Sequence, residues 1–343
     1  MRKTILYIAV LLLSLPVCAQ QERHFTFHYR FTVRNIAPGQ KLQVWFPQAQ
    51  SDPFQDVKIL SMKGDLPVKK THEPRYGDAI LYAVASKAER SEYSFDVEYD
   101  VVRRERIALP REGGQPRLLH PTNANIGPSR GPRLLRVSAK ESREYLGPDK
   151  LVPVTGRLAG IAAEQVQGKT GTMEKARALY QYVFSTMRYD KTGTGWGRGD
   201  AEWACDSRRG NCTDFHSVFI SMARSQHIPA RFSIGFPLPA NKNSGEIAGY
   251  HCWADFYDAQ YGWVPVDISE AWKDKSKKDY FFGAHDVNRV QFSTGRDLEL
   301  TPRQAGEPLN YFVYPYVEVE GKKFENVSNE FSFADIGIGK PRG

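Results

Sequence analysis

Residues 208–225 read Arg-Arg-Gly-Asn-Cys-Thr-Asp-Phe-His-Ser-Val-Phe-Ile-Ser-Met-Ala-Arg-Ser, and this stretch decides the fold. Arg208 to Asn211 is a turn. From Thr213 the apolar residues Phe215, Val218, Phe219, Met222 and Ala223 fall at i, i+3, i+4, i+7 and i+8, one helical stripe. His227-Ile228-Pro229 ends it, because proline cannot continue the ladder. Cys212 therefore stands at the first turn, where free N–H groups and the positive end of the helix dipole favour thiolate over thiol. Seen alone, Cys212 reads first as a small buried hydrophobe, the usual fate of a lone cysteine.

Two later segments bear on that choice. Tyr250–Tyr257 and Gly262–Ile268 read as strands, with Asp258-Ala259-Gln260 as a short hairpin loop. A hairpin symmetric about Ala259 sets residue 255 opposite 263, 253 opposite 265 and His251 opposite Asp267. Directly opposed Cβ atoms lie about 4.5–5.5 Å apart on one face. A carboxylate there accepts the imidazole N–H, fixes the tautomer and leaves the other ring nitrogen for a thiol. A β-bulge would shift this register. Cys212 as nucleophile, His251 as base and Asp267 as its orienting carboxylate are the candidate catalytic residues.

Three motifs, RRGNCTDFHSVFISMARSQHIPARFSIGFPLP (208–239), GYHCWADFY (249–257) and GWVPVDISEAW (262–272), resemble the core of the transglutaminase-like superfamily. The resemblance runs from Met173 to Trp272. It implies a papain-like α+β core, in which a helix with an N-terminal cysteine packs on an antiparallel sheet carrying histidine and aspartate. The family's three residues map onto Cys212, His251 and Asp267. The superfamily includes protein crosslinkers, cysteine peptidases, amidases and non-catalytic domains, so the resemblance does not choose the reaction.

The chain has 343 residues, enough for two or three domains. Residues 1–19 read as a signal peptide: Arg2 and Lys3, an apolar run from Ile5 to Leu15, then Val17-Cys18-Ala19. Cys18 also suggests a lipid anchor, but Pro16 and Val17 fit that poorly. The run is too short for a good span, and no other stretch could cross a membrane. Cleavage after Ala19 gives a periplasmic or secreted protein with Cys205, Cys212 and Cys252. At least one of three thiols must stay free, while Cys205 and Cys252 either form a disulfide or are reduced.

Residues 20–102 alternate at Phe25–Val33, Leu42–Phe46 and Tyr93–Val101, a β-sandwich pattern with Pro38-Gly39 as a hairpin turn between the first two strands. Residues 103–150 form a basic Pro/Gly-rich connector; eight arginines face two glutamates between 103 and 136. Its plain reading is a solvated link, and its functional reading is contact with an anionic surface polymer. No aromatic residue is interleaved there, which argues against nucleic acid. Residues 151–300 hold the transglutaminase-like core, opening with a helix from Met173 to Met187 capped by Thr170 or Thr172. Residues 301–343 form a C-terminal β extension, placed on the central sheet or as a small addition to it.

Around the candidate site, Lys191–Asp200 carries glycine at every second position from 193 to 199, either a flexible wall or a plain surface loop. The backbone N–H of Cys212 is a candidate oxyanion donor, with Trp203 and Tyr189 as candidates for the second. Trp196 and Trp253 are candidates for lining a substrate channel. His216, one turn beyond Cys212, either competes as base or packs under the site and bonds a backbone carbonyl. Cys205, Cys212, His216 and Cys252 match no common zinc spacing, so neither metal nor cofactor is expected. The leading expectation is an exported cysteine enzyme acting on amide or peptide bonds of a protein or peptide substrate, with hydrolysis favoured. The alternatives are a protein-glutamine crosslinking transglutaminase and a non-catalytic binding or assembly module with a vestigial triad.

Overall fold

The structure, a computed structural model, describes residues 21–109 and 143–337. Residues 1–19, expected to be a signal peptide, and most of the expected basic connector lie outside the described residues. Among the described residues no helix is long and apolar enough to cross a membrane.

The strict alternation of Phe25, Phe27, Tyr29, Phe31 and Val33 becomes the buried face of the strand Glu22–Val33. That strand pairs antiparallel with Tyr93–Arg104, Phe25 opposite Val101. Gln55–Gly64 extends the sheet beyond Tyr93–Arg104. A second five-stranded sheet centres on Leu42–Pro47, flanked by Ala79–Ala85 and Tyr316–Val319. The two sheets face each other through Phe31, Phe46 and Phe95, with ring centroids 4.9–5.5 Å apart. This is the expected sandwich. Pro38-Gly39, however, is not a hairpin turn: it carries the chain from one sheet to the other, and the Gly39 N–H bonds the carbonyl of Ala88.

The C-terminal strands also differ from expectation. Val327–Asp335 pairs with Glu22–Val33 along its length, Phe25 opposite Asp335, and on its other side with Ser244–Glu246. Both sandwich sheets are therefore completed by the end of the chain and not by its beginning. The cause is apolar: Phe331 points inward onto Tyr29 and Phe236, at 4.8 and 4.4 Å between centroids. Arg103 and Arg106, read as connector charges, are buried instead. Arg103 lies within the strand Tyr93–Arg104, and Arg106 bonds the buried Asp255 at 2.8 Å.

The central unit is a four-stranded antiparallel sheet in the order Gly262–Val266, His251–Asp258, Ala230–Pro237, Arg289–Thr294. The helix Cys212–Ser225 packs on it and is buried from Cys212 to Arg224. A helix enclosed on all sides needs apolar or satisfied polar residues all round. Arg224 meets that need by pairing with the buried Asp149 at 2.7 Å. The helix Thr172–Thr186 begins after Gly171, not at a threonine cap. Thr172 is already helical, and the Glu174 carboxylate accepts from the Gly171 N–H instead. Phe27 and Tyr29 of the sandwich stack against Phe236 and Phe292 of the central sheet, so one core runs through both.

Candidate active site

Cys212 is the first residue of its helix. Asn211 caps it, its side-chain oxygen accepting from the Thr213 N–H at 2.9 Å, while the Asp214 carboxylate accepts from the Asn211 N–H at 2.9 Å. Asp214 does more than cap. It also accepts from the N–H groups of Gly197 at 2.7 Å and Gly199 at 3.0 Å. Gly199 has φ of 61°, and a Cβ there would run into Ser217 and Arg296. Arg296 in turn donates to the Gly199 carbonyl at 3.0 Å. The glycine-rich segment is thus fastened to the helix at Gly197 and Gly199, while Lys191–Thr194 and the Arg198 side chain are exposed.

His251 opens the strand His251–Asp258, and Asp267 follows the strand Gly262–Val266 as the cap of the helix Ile268–Lys273. Asp255 faces Pro265 and Ala254 faces Val266, so the hairpin is centred on Gln260, one residue beyond the expected centre. His251 is therefore diagonal to Asp267 rather than directly opposite it. They still meet: His251 Nε2 lies 2.7 Å from Asp267 Oδ2. Because Nε2 faces the carboxylate, Nδ1 is left for the thiol, and His251 is hydrogen-bonded to Cys212. The other Asp267 oxygen accepts from the Ser269 hydroxyl and the Glu270 N–H, both at 3.1 Å. Arg289 donates to Oδ2 at 2.9 Å.

The three residues are nearly sealed from solvent, at 2%, 4% and 0% exposure for Cys212, His251 and Asp267. Burial alone would keep each neutral. It is overridden. Burial raises the Cys212 thiol, but hydrogen bonds from Cys252 and His251 and the charge of His251 bring it well below the ordinary thiol value. Burial lowers the His251 imidazole, but the Asp267 carboxylate and the thiolate push it up to about 10. Asp267, raised by burial, is drawn well below its ordinary value by His251 and Arg289. The favoured state is a thiolate–imidazolium pair with an ionised aspartate behind it, a nucleophile with a proton donor in place.

The neighbours sort by position. His216 is fully buried beneath the pair. Its Nε2 accepts from the Ile268 N–H at 3.1 Å, and it also bonds the carbonyl of Cys212. Cys205, Cys212 and Cys252 are all free, so the Cys205–Cys252 disulfide is absent; Cys252 lies by Cys212, its sulfur 3.7 Å from the Thr213 hydroxyl. Trp253, expected in a channel, is fully buried under the site, where Arg289 lies over its ring at 4.9 Å. Trp196 is half-buried in the glycine segment, its indole N–H on the Gly193 carbonyl at 3.1 Å. A cleft of about 630 Å³ opens at His251, walled by Tyr189, Tyr250, His251, Glu270, Lys273 and Arg289 among others; Cys212 itself is not among the wall residues. Tyr189 is on its wall; Trp203 is not among the wall residues and packs under Arg209. Among the described residues no group of three or more metal-ligating side chains converges.

Sequence reasoning missed Asp214, Tyr250, Arg289 and Arg296. Asp214 had a readable signal, the capping pattern Asn-x-x-Asp at 211–214. Tyr250, whose hydroxyl is 3.0 Å from the Asn211 amide and 2.9 Å from the Thr213 hydroxyl, gave none. Neither did the two arginines, which reach the site from other strands and loops.

Residues 159–268 match the model of the Transglutaminase-like superfamily. An uncharacterized protein of Haemophilus influenzae is 28% identical over 330 residues, covering 87% of this chain and 85% of that one. The uncharacterized protein YebA of Bacillus subtilis is 23% identical over 146 residues, covering 37% of this chain and 20% of its own length. The crystal structure of a Cytophaga hutchinsonii protein, named "Putative Cysteine Protease", superposes with a TM-score of 0.55 at 15% identity, over 93% of each chain, which is a likeness of fold. The family match spans the helix and hairpin that hold Cys212, His251 and Asp267, so over residues 159–268 this chain is similar to the transglutaminase-like superfamily.

Proposed function

We propose that this protein is an exported cysteine hydrolase of amide or peptide bonds. The observation that carries the reading is His251 held between Asp267, at 2.7 Å, and the Cys212 thiol at a helix N-terminus. Cys212 Sγ attacks the carbonyl carbon. The C–N bond breaks as His251 gives its proton to the leaving amine. Water, deprotonated by His251, then cleaves the thioester to the free acid and returns the thiol. The Cys212 N–H, at the first position of the helix, is one oxyanion donor. Tyr189 is the second in preference to Trp203, because it lines the cleft and its hydroxyl is kept protonated by burial and the nearby thiolate. Export is supported by the charged, apolar and small-residue pattern of residues 1–19.

Hydrolysis is favoured over transfer because no feature of the sequence specifies an amine acceptor, which leaves water as the default. The test is to trap the acyl-enzyme from a periplasmic or surface extract, identify the acyl group by mass spectrometry, and follow the products as a primary amine is raised. Free acid is expected as the main product. Amide dominating at low amine would replace the hydrolase with a crosslinking enzyme, and failure of Cys212 to acylate would leave a binding module.

A further inference from the structure

We propose that Arg289 is a positioning residue that keeps Asp267 ionised whatever the protonation state of His251, so that His251 can release its proton. The inference rests on the proposed role of His251 as proton carrier. Arg289 is 2% exposed, and its Nη1 donates to Asp267 Oδ2 at 2.9 Å, the same oxygen that receives His251 at 2.7 Å. It is held from behind by the Asp286 carboxylate, at 3.2 and 3.3 Å, and by the face of Trp253.

The physical argument concerns the step in which His251 gives up its proton. A buried carboxylate whose only counter-ion is an imidazolium resists that loss, since it would remain as an unpaired charge in a dry site. A guanidinium is always charged. With Arg289 on Oδ2, the charge of Asp267 stays compensated after His251 becomes neutral. The other charges facing the pair do not do this. Glu270, 3.9 Å from His251 Nε2, has the wrong sign and is tied to Lys273 at 2.6 Å. His216 on the helix side and His285 on the sheet side are both held towards the neutral form, first by burial and, for His285, also by the charge of Arg289. Tyr180 and Tyr189 stay neutral through burial. Cys212 carries the negative charge that is consumed in the reaction.

The variant Arg289→Gln retains a donor for Asp267 and removes the charge; Arg289→Lys retains the charge. The readout is the His251 ring signal in histidine-labelled full-length protein, assigned by its loss in His251→Ala, together with the alkaline limb of turnover. The wild-type imidazolium should titrate near the value of about 10 that its surroundings impose. In Arg289→Gln the midpoint should rise by about one pH unit or more, the usual effect of a charge at this range. Arg289→Lys should titrate with the wild type. A purely structural role would lower the melting temperature in both variants without separating their titrations. An unshifted His251 in folded Arg289→Gln overturns the proposal. If that variant does not fold, an upward shift in Arg289→Lys overturns it equally. His251-dependent alkylation of Cys212 by iodoacetamide, measured on the same samples, separates the two readings. If it persists while His251 is unshifted, only the role of Arg289 falls; if wild-type Cys212 alkylates independently of His251, both fall.

Discussion

Cys252 lies beside Cys212, its sulfur 3.7 Å from the Thr213 hydroxyl, and the two thiols respond in opposite directions. Burial and the neighbouring thiolate hold Cys252 protonated, while Cys212 is drawn down. Cys252 is thus a protonated thiol next to the candidate nucleophile. Brief iodoacetamide treatment near neutral pH, followed by peptide mapping, should label Cys212 ahead of Cys205 and Cys252. In Cys252→Ala the acid limb of Cys212 alkylation should move up by several tenths of a pH unit, as about 1 kcal/mol of hydrogen bonding to the charged form is lost. An unmoved limb would mean that the thiol–thiol contact does not stabilise the thiolate.

Roles within the site separate by substitution. Cys212→Ala and His251→Ala should abolish turnover and leave the fold intact. Asp267→Asn should lower kcat by about two to four orders of magnitude, because the amide favours the wrong imidazole tautomer. His216→Ala should show itself in stability, at roughly 1–3 kcal/mol for the buried Ile268 N–H left without an acceptor, and should keep the wild-type pH profile. A dead His216→Ala beside an active His251→Ala would reverse the assignment of the base.

The pH dependence follows from the two opposed shifts. Cys212 is depressed, so the thiolate is present once pH rises past its lowered value. His251 is raised, so the imidazolium persists until pH climbs through about 10. Turnover should rise on the acid side, hold a plateau and fall near pH 10 as the leaving group loses its proton donor. Alkylation of Cys212 needs only the thiolate and should not fall there. Comparing the two profiles on one preparation tests the sign of both shifts.

Asp214 joins the helix cap to the glycine segment through three backbone N–H groups. Asp214→Ala should cost about 2–4 kcal/mol, since buried donors lose a charged acceptor. Hydrogen exchange should speed up at Gly197 and Gly199 before it does in the sandwich strands. Equal protection of that segment in the variant would show that the bonds of Arg296, Asn310 and the tyrosines to its carbonyls secure it without Asp214.

The hairpin shows what a sequence can and cannot reveal. Its centre moves from Ala259 to Gln260 because the Asp258 carboxylate accepts from the N–H groups of both Gln260 and Tyr261, and Gly262 takes φ of 72°. Moving the centre by one residue shifts the pairing by two, and a shift of two keeps every side chain on its face. His251 and Asp267 therefore still meet, by a diagonal the symmetric reading did not contain. The Cys212 helix was legible because its apolar stripe is local. The roles of Arg289 and Arg296 and the partner of the Phe331 strand were not, because a contact between distant segments leaves no periodicity in either one. Trp253 illustrates the same limit: its position beside His251 in the chain says nothing of the arginine that covers it.

The pairing of Val327–Asp335 with both Glu22–Val33 and Ser244–Glu246 has a consequence for the order of assembly. Glu246 stands on the wall of the cleft, so the stretch that borders the site is stitched to the strand Glu22–Val33 through residues made later than either. A nascent chain stopped before residue 327 has every member of the Cys212 cluster but lacks the strand that ties the cleft wall to the sandwich. Contacts this distant in sequence are slow to form. The thiol would then complete its surroundings only after synthesis has passed residue 335, a built-in delay between making the nucleophile and finishing the cleft around it.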